Sequence, residues 1–214
     1  SEIYKPMQDN PKKWAEFSEK YDINFIFFGH SDSTPWGWAF MASIVKNPDW
    51  QIVYINEEAI VLVKNDERNS EFISKFAISQ ESAVDRTVTN VKRSNEDNAS
   101  LNTTLSRFFY NISWREASVY FADEAIKADP QNPHPYFYKG LAYVYYTDQK
   151  NQKLAGENIK KAIDLGLKES RYYYILGVVY MNLGRLDEAK LLFEKSLELD
   201  KNNEQAKEFL EKYF

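Results

Sequence analysis

Residues 173–199 read YYILGVVYMNLGRLDEAKLLFEKSLEL. Two apolar-periodic segments flank Asn182-Leu183-Gly184, a turn sequence, so the stretch reads as a helix–turn–helix hairpin. Small residues stand at Gly177 in the first segment and Ala189 in the second. They belong where two antiparallel helices approach most closely, because a larger side chain there would push the helices apart. The aromatic residues, Tyr173, Tyr180 and Phe193, fill the spaces between one hairpin and the next.

The same pattern recurs upstream. Moving Ala189, Phe193, Ser196, Leu199 and Asp200 back by 71 positions lands on Ser118, Ala122, Ala125, Ala128 and Asp129, followed by Pro130. Between the two sets, Tyr136, Gly140 and Tyr143 take the first-helix places, and Ala155, Ile159 and Ala162 the second-helix places. Downstream, Ala206, Phe209, Leu210, Tyr213 and Phe214 fall on one helix face, with Glu204, Lys207, Glu208, Glu211 and Lys212 opposite. A polar-backed helix of that kind suits the end of a repeat array.

Tyr173-x-x-Leu176-Gly177-x-x-Tyr180, with Ala189 and Phe193 after it, resembles the signature of the tetratricopeptide repeat (TPR), a hairpin of about 34 residues. The resemblance covers residues 99–214. It implies three repeats, at about 99–132, 133–169 and 170–203, and a capping helix at 204–214. It also implies a concave face lined by the first helices, here through Tyr110, Phe137, Leu141, Tyr145, Tyr174, Val178, Met181 and Asn182. Such a face takes a protein or peptide partner, and aromatic anchors give it contact area at little entropic cost. Arrays that clamp a free carboxylate use Lys, Asn and Arg at places that here read Thr103, Arg107, Tyr138, Arg171 and Ile175. Only one place has the charge required, which argues against that mode.

The first hundred residues follow another pattern. Asn10-Pro11 and Thr34-Pro35 are helix-start pairs. Residues 23–28 form an unbroken apolar run ended by Gly29, the pattern of a buried strand, and residues 50–55 and 59–64 form a hairpin around Asn56-Glu57-Glu58. Residues 67–98 read as a helical linker, with Phe72, Ile73 and Phe76 in one short helix and Val84, Val88 and Val91 in another. The expected fold is therefore α+β: a small three-stranded α/β layer over 1–66, the linker over 67–98, and an all-α TPR solenoid over 99–214.

The segments YDINFIFFG and NPDWQIVYINEEAIVLVKND, within residues 11–66, give a second resemblance. They look like the water-exposed C-terminal domain of polytopic, lipid-linked-sugar glycosyltransferases of the protein-mannosyltransferase-like superfamily. That family carries its catalytic carboxylates in loops of the membrane-spanning part, so the resemblance implies no catalytic residue in this chain.

Composition narrows the function further. Of the 214 residues, 43% are hydrophobic and 16% aromatic, enough for a packed core. Residues 1–98 hold 11 basic and 16 acidic side chains, and residues 99–214 hold 16 of each. Neither half has the basic excess of a nucleic-acid binder. There is no cysteine, and the two histidines are His30 and His134, so no metal, cofactor or thiol chemistry is expected. The Gly29-His30-Ser31-Asp32-Ser33 loop follows a strand, where α/β folds place ligands, but it also suits a plain loop before Thr34. His134, the Glu57-Glu58 pair, and the sequons at Asn98, Asn102 and Asn111 read as surface features. The expectation is a non-catalytic interaction scaffold, the extracytoplasmic C-terminal portion of a membrane glycosyltransferase whose preceding part the chain from Ser1 omits. The alternative is a free-standing cytoplasmic TPR adaptor.

Overall fold

The computed structural model describes residues 10–32, 34–94 and 98–214, and the chain divides into two compact units, Ser1–Ala117 and Ser118–Phe214. In the first unit, helix α1 (Pro11–Lys20) starts at Asn10, whose side-chain oxygen accepts from the amides of Lys12 and Lys13 at 3.0 and 3.2 Å. Strand β1 (Phe25–Gly29), helix α2 (Pro35–Ile44) and the hairpin β2 (Trp50–Ile55) and β3 (Ala59–Lys64) follow. The hairpin turn is held by Asn56 Oδ1, which accepts from the amides of Glu58 and Ala59 at 3.0 and 2.8 Å. The sheet is antiparallel in the order β1-β3-β2, with Phe27 opposite Val61 and Trp50 opposite Lys64. A register shift between Ile52 and Tyr54 lets Ile52 and Val53 both be buried.

One face of this sheet builds the core. Ile26, Phe28, Ile60, Leu62 and Ile55 are buried with Phe40, Met41 and Ile44 of α2. Trp14 of α1 meets the Phe40 ring edge-on at 4.7 Å. The other face differs from the sequence expectation for residues 23–28. Phe25 and Phe27 are 64% and 67% exposed, so β1 is a half-buried edge strand and not a strand covered on both sides. A continuous apolar run does not distinguish the two cases, because only the alternate residues of a strand share a face.

A 3-10 turn (Glu67–Asn69) leads into α3 (Ser70–Phe76) and α4 (Gln80–Arg93). Between them the amide of Ile78 donates to the carbonyl of Ile52 at 2.8 Å, giving β2 an outer partner. Residues 95–97, where a loop was expected, lie outside the described residues. Helix α5 (Asn98–Asn111) belongs to this first unit, so the boundary expected at 98–99 falls instead at Ala117, inside α6 (Arg115–Ala128). The reason is packing. Phe108 of α5 stacks on His30 at 3.8 Å and meets the edge of Trp38 at 6.0 Å. Lys46 Nζ donates to Ser113 Oγ at 3.2 Å.

The second unit is helical throughout its ordered elements: the end of α6, then α7 (Pro133–Val144), α8 (Gln149–Asp164), α9 (Ser170–Asn182), α10 (Leu186–Leu199) and α11 (Glu204–Tyr213). Helices α7 and α8 form one antiparallel pair and α9 and α10 the next. The close approaches fall at the glycines. A Cβ on Gly140 would lie 2.6 Å from Ile159 Cγ1, and one on Gly177 would lie 2.7 Å from the Phe193 ring. Gly184 closes α9 at φ +74°, where the amide of Arg185 reaches back to the Tyr180 carbonyl at 2.9 Å. Tyr172, Leu176, Val179, Ile159, Ala189, Phe193 and Ala206 make the core. The final helix is fastened by Asn203. Its Oδ1 accepts from the Ala206 amide at 3.1 Å, while its Nδ2 donates to Ser170 Oγ and Ser196 Oγ, both at 3.0 Å.

Candidate functional site

The first helices of the two complete hairpins, α7 and α9, carry seven of the eight residues expected on the partner face. These seven do not behave alike. Leu141, Val178 and Met181 are half-buried and rest on the core with part of each side chain left at the surface. Tyr145, at the C-terminal cap of α7, is 60% exposed. Of the seven, Leu141, Tyr145, Val178 and Met181 are therefore the ones that leave apolar side-chain surface uncovered.

Three expected residues are committed elsewhere. Phe137 is 7% exposed, its ring meeting Tyr172 edge-on at 4.7 Å, so it is a core residue and not an anchor. Tyr174 is half-buried beneath α11, 5.9 Å from the Phe209 ring. Burial, and after it the Glu208 carboxylate, raises the Tyr174 phenol above its ordinary pKa. Asn182 is exposed but works locally. Its Nδ2 donates to Gln152 Oε1 at 3.2 Å, and Gln152 Nε2 donates in turn to the Val144 and Tyr146 carbonyls at 3.0 and 2.6 Å. That chain of bonds closes the end of α7, whose carbonyls have no intrahelical partner. Tyr110, the eighth residue, is half-buried in α5 of the first unit.

The two arginines among the places of a carboxylate clamp each bond within their own unit. Arg171 lies over the Tyr172 ring and donates to its hydroxyl at 2.6 Å, so its guanidinium is already held. Arg107 donates to the Ser31 carbonyl at 3.3 Å.

The first unit contains what the sequence left as a plain loop. His30 is 1% exposed, and its Nδ1 lies 3.3 Å from the Glu57 carbonyl oxygen. Burial pushes its pKa down to about 4, partly offset by that hydrogen bond. Its Nε2 is buried without a hydrogen-bond partner. Asp32 Oδ1 accepts from the Thr34 amide at 2.6 Å and from its hydroxyl at 2.7 Å, an Asx turn before α2. Ser33 lies outside the described residues. His30, Glu57 and Glu58 share a cavity wall with Ser100 and Thr104 of α5. Sequence reading singled out the His30 loop but did not connect it with Glu57-Glu58 or with Ser100 and Thr104, since 27 and 42 positions separate the three groups. Of the sequons, Asn102 is only 4% exposed, which closes it to a glycan.

A run of antiparallel helix pairs, with small residues at the close approaches and a polar-backed last helix, defines the class of helical-repeat proteins. Residues 170–203 match the tetratricopeptide repeat family. Solved structures of that class share the fold. The crystal structure of MamA is 18% identical, with a TM-score of 0.53 over 69% of this chain and 82% of that one. YrrB, a TPR protein with an unusual peptide-binding site, is 21% identical, with a TM-score of 0.52 over 57% of this chain and 61% of that one. The Arabidopsis OM64 TPR domain is 23% identical, with a TM-score of 0.50 over 55% of this chain and 95% of that one. No curated protein sequence matches the chain.

Proposed function

We propose that the chain is a non-catalytic scaffold whose α7–α9 surface holds a peptide or protein segment by apolar contacts. One observation carries this reading: Leu141, Val178 and Met181, uncharged and half-buried on α7 and α9, rest on one core with part of each side chain left at the surface, and the exposed Tyr145 caps α7. An anchor surface on a rigid base loses little entropy when it binds. The absence of charge among these four residues makes affinity weakly dependent on salt.

The test is a selection of displayed random peptides against the whole chain, followed by titration of the selected sequences. Replacing Tyr145 and Met181 together by Ala should weaken binding about tenfold or more. The same change at Leu191, 64% exposed on α10, should leave it unaltered. Equal binding by the Tyr145/Met181 variant would place the contact elsewhere.

The wider setting we infer is the extracytoplasmic side of a membrane, with this chain as the C-terminal portion of a lipid-linked-sugar glycosyltransferase. The support is the likeness of YDINFIFFG and NPDWQIVYINEEAIVLVKND to that family, carried here on the order helix, strand, helix, strand, strand over residues 11–64. Apolar membrane spans encoded directly upstream of Ser1 are the expected finding. An initiator methionine there, without such spans, would favour the cytoplasmic adaptor.

A further inference from the structure

Strand β1 is one edge of the three-stranded sheet and β2 is the other. The two edges are finished differently. On β2 a register shift bends the strand, and the Ile52 carbonyl already accepts the Ile78 amide at 2.8 Å. Both devices blunt an edge. Strand β1, FIFFG, keeps an unbroken register against β3 and holds no proline and no charged residue. The His30 amide and the Asn24 carbonyl bond to residues of the β3 side. The alternation of an antiparallel pair therefore turns the amides and carbonyls of Phe25 and Phe27 away from β3. The row stops at Gly29, whose carbonyl accepts from the Asp32 amide at 3.2 Å.

The side chains give this row a face. Residues opposite one another in a ladder share a side of the sheet, so Phe27, Val61 and Tyr54 form one line across it, and Phe25 and Val63 the next. Phe25, Phe27 and Tyr54 are 64%, 67% and 48% exposed. What completes such an edge is a backbone with amides and carbonyls at strand spacing, and apolar side chains on the ring side. Only an extended polypeptide has both. Charge selects its source. Residues 1–98 carry 16 acidic and 11 basic side chains, so a second copy would bring like charge to the edge, and a segment with basic ends brings the opposite sign.

We propose that β1 takes up an extended segment of another protein as a fourth, antiparallel strand. The segment carries apolar β-branched residues at two alternate positions, opposite Phe25 and Phe27, and basic residues at its ends. This surface lies in the first unit and is independent of the α7–α9 reading.

The probe is acetyl-Lys-Thr-Val-Thr-Val-Thr-Lys-amide, added to a dilute solution of the whole chain labelled with nitrogen-15 at phenylalanine. Of the 14 phenylalanine amides, those of Phe25 and Phe27 should shift saturably, while that of Phe28, which faces β3, stays in place. Phe25→Leu and Phe27→Leu assign the two signals. In the proposed pairing the valine amides face β1 and the threonine amides face away. N-methylation of both valines should therefore weaken binding about tenfold or more, and N-methylation of the threonines should leave it intact. Replacing both lysines of the probe by Glu should weaken it as well. Phe25→Thr/Phe27→Thr should keep the thermal midpoint and weaken binding of a fluorescent form of the probe about tenfold. No saturable shift of the Phe25 and Phe27 signals would overturn the proposal. So would equal losses from the two methylation patterns, or undiminished binding of the Glu-ended probe. A dimer seen in sedimentation, with the same two amides shifted in the absence of probe, would overturn it by assigning the edge to a second copy.

Discussion

Gly177 has no room for a side chain, since a Cβ there would already sit 2.7 Å from the Phe193 ring, itself fully buried. Gly177→Leu should therefore cost about 2 kcal/mol or more through overpacking. At Gly184 nothing lies within 4 Å, but φ is +74°, so Gly184→Leu should cost only about 1 kcal/mol, from backbone strain. Urea titration of the two variants separates these costs, and a harmless Gly177→Leu would mean the repeat register is wrong. His30 gives a pH signature of opposite origin. Its pKa is lowered on folding, from 6.5 to about 4, so the folded state prefers the neutral ring. Stability should be full above pH 6.5 and fall as the pH drops toward 4, by at most about 3 kcal/mol from this group. Comparing the wild type with His30→Gln over pH 4–7.5 isolates the effect, since the variant should lack that part of the slope. Phe137→Ala belongs with the core and should cost about 3–5 kcal/mol in stability.

Helices carried their own labels in the chain, and strands did so only in part. The pattern of Gly177, Ala189 and Phe193 identified the α9–α10 pair because a close approach restricts size at fixed intervals along both helices. The same logic read Gly140 against Ile159 in α7 and α8. Strand β1 misled because FIFF looks alike whether one face is covered or two. The cavity at His30 was illegible for a different reason. Its members come from three distant segments, and nothing local in Glu57-Glu58 or Ser100 announces a shared wall. Position in a repeat also fails to say whether a side chain is spare. Phe137 and Tyr174 hold equivalent places, yet Tyr172 encloses one ring and α11 lies over the other. For α11 itself, the decisive residue is Asn203, which caps the helix and ties two serines from different helices. Asn203→Ala should cost about 1–2 kcal/mol, and hydrogen exchange should speed up in α11 before it does in α9.

At the scale of the whole molecule, the division at Ala117 changes which fragments should fold. Residues 1–66 alone lack Phe108, the ring that stacks on His30, and should melt without a sharp transition. Residues 1–114 restore α5 and should unfold cooperatively, as should residues 115–214, which keep α6 whole. Calorimetry of the three fragments decides this, and a sharp transition in 1–66 would contradict it. The bare flank of β1 matters in a crowded tube. In the β1–β3 ladder the amide of His30 and the carbonyl of Asn24 point inward, so by the alternation of an antiparallel pair those of Phe25, Phe27 and Gly29 point outward. Two bulky rings accompany that row, and among the described residues no strand lies beside it. Concentrated samples should thus cloud by strand-to-strand adhesion well below their melting temperature. Phe27→Lys, a gatekeeper charge on the solvent side, should raise the concentration at which light scattering begins while leaving the thermal midpoint in place.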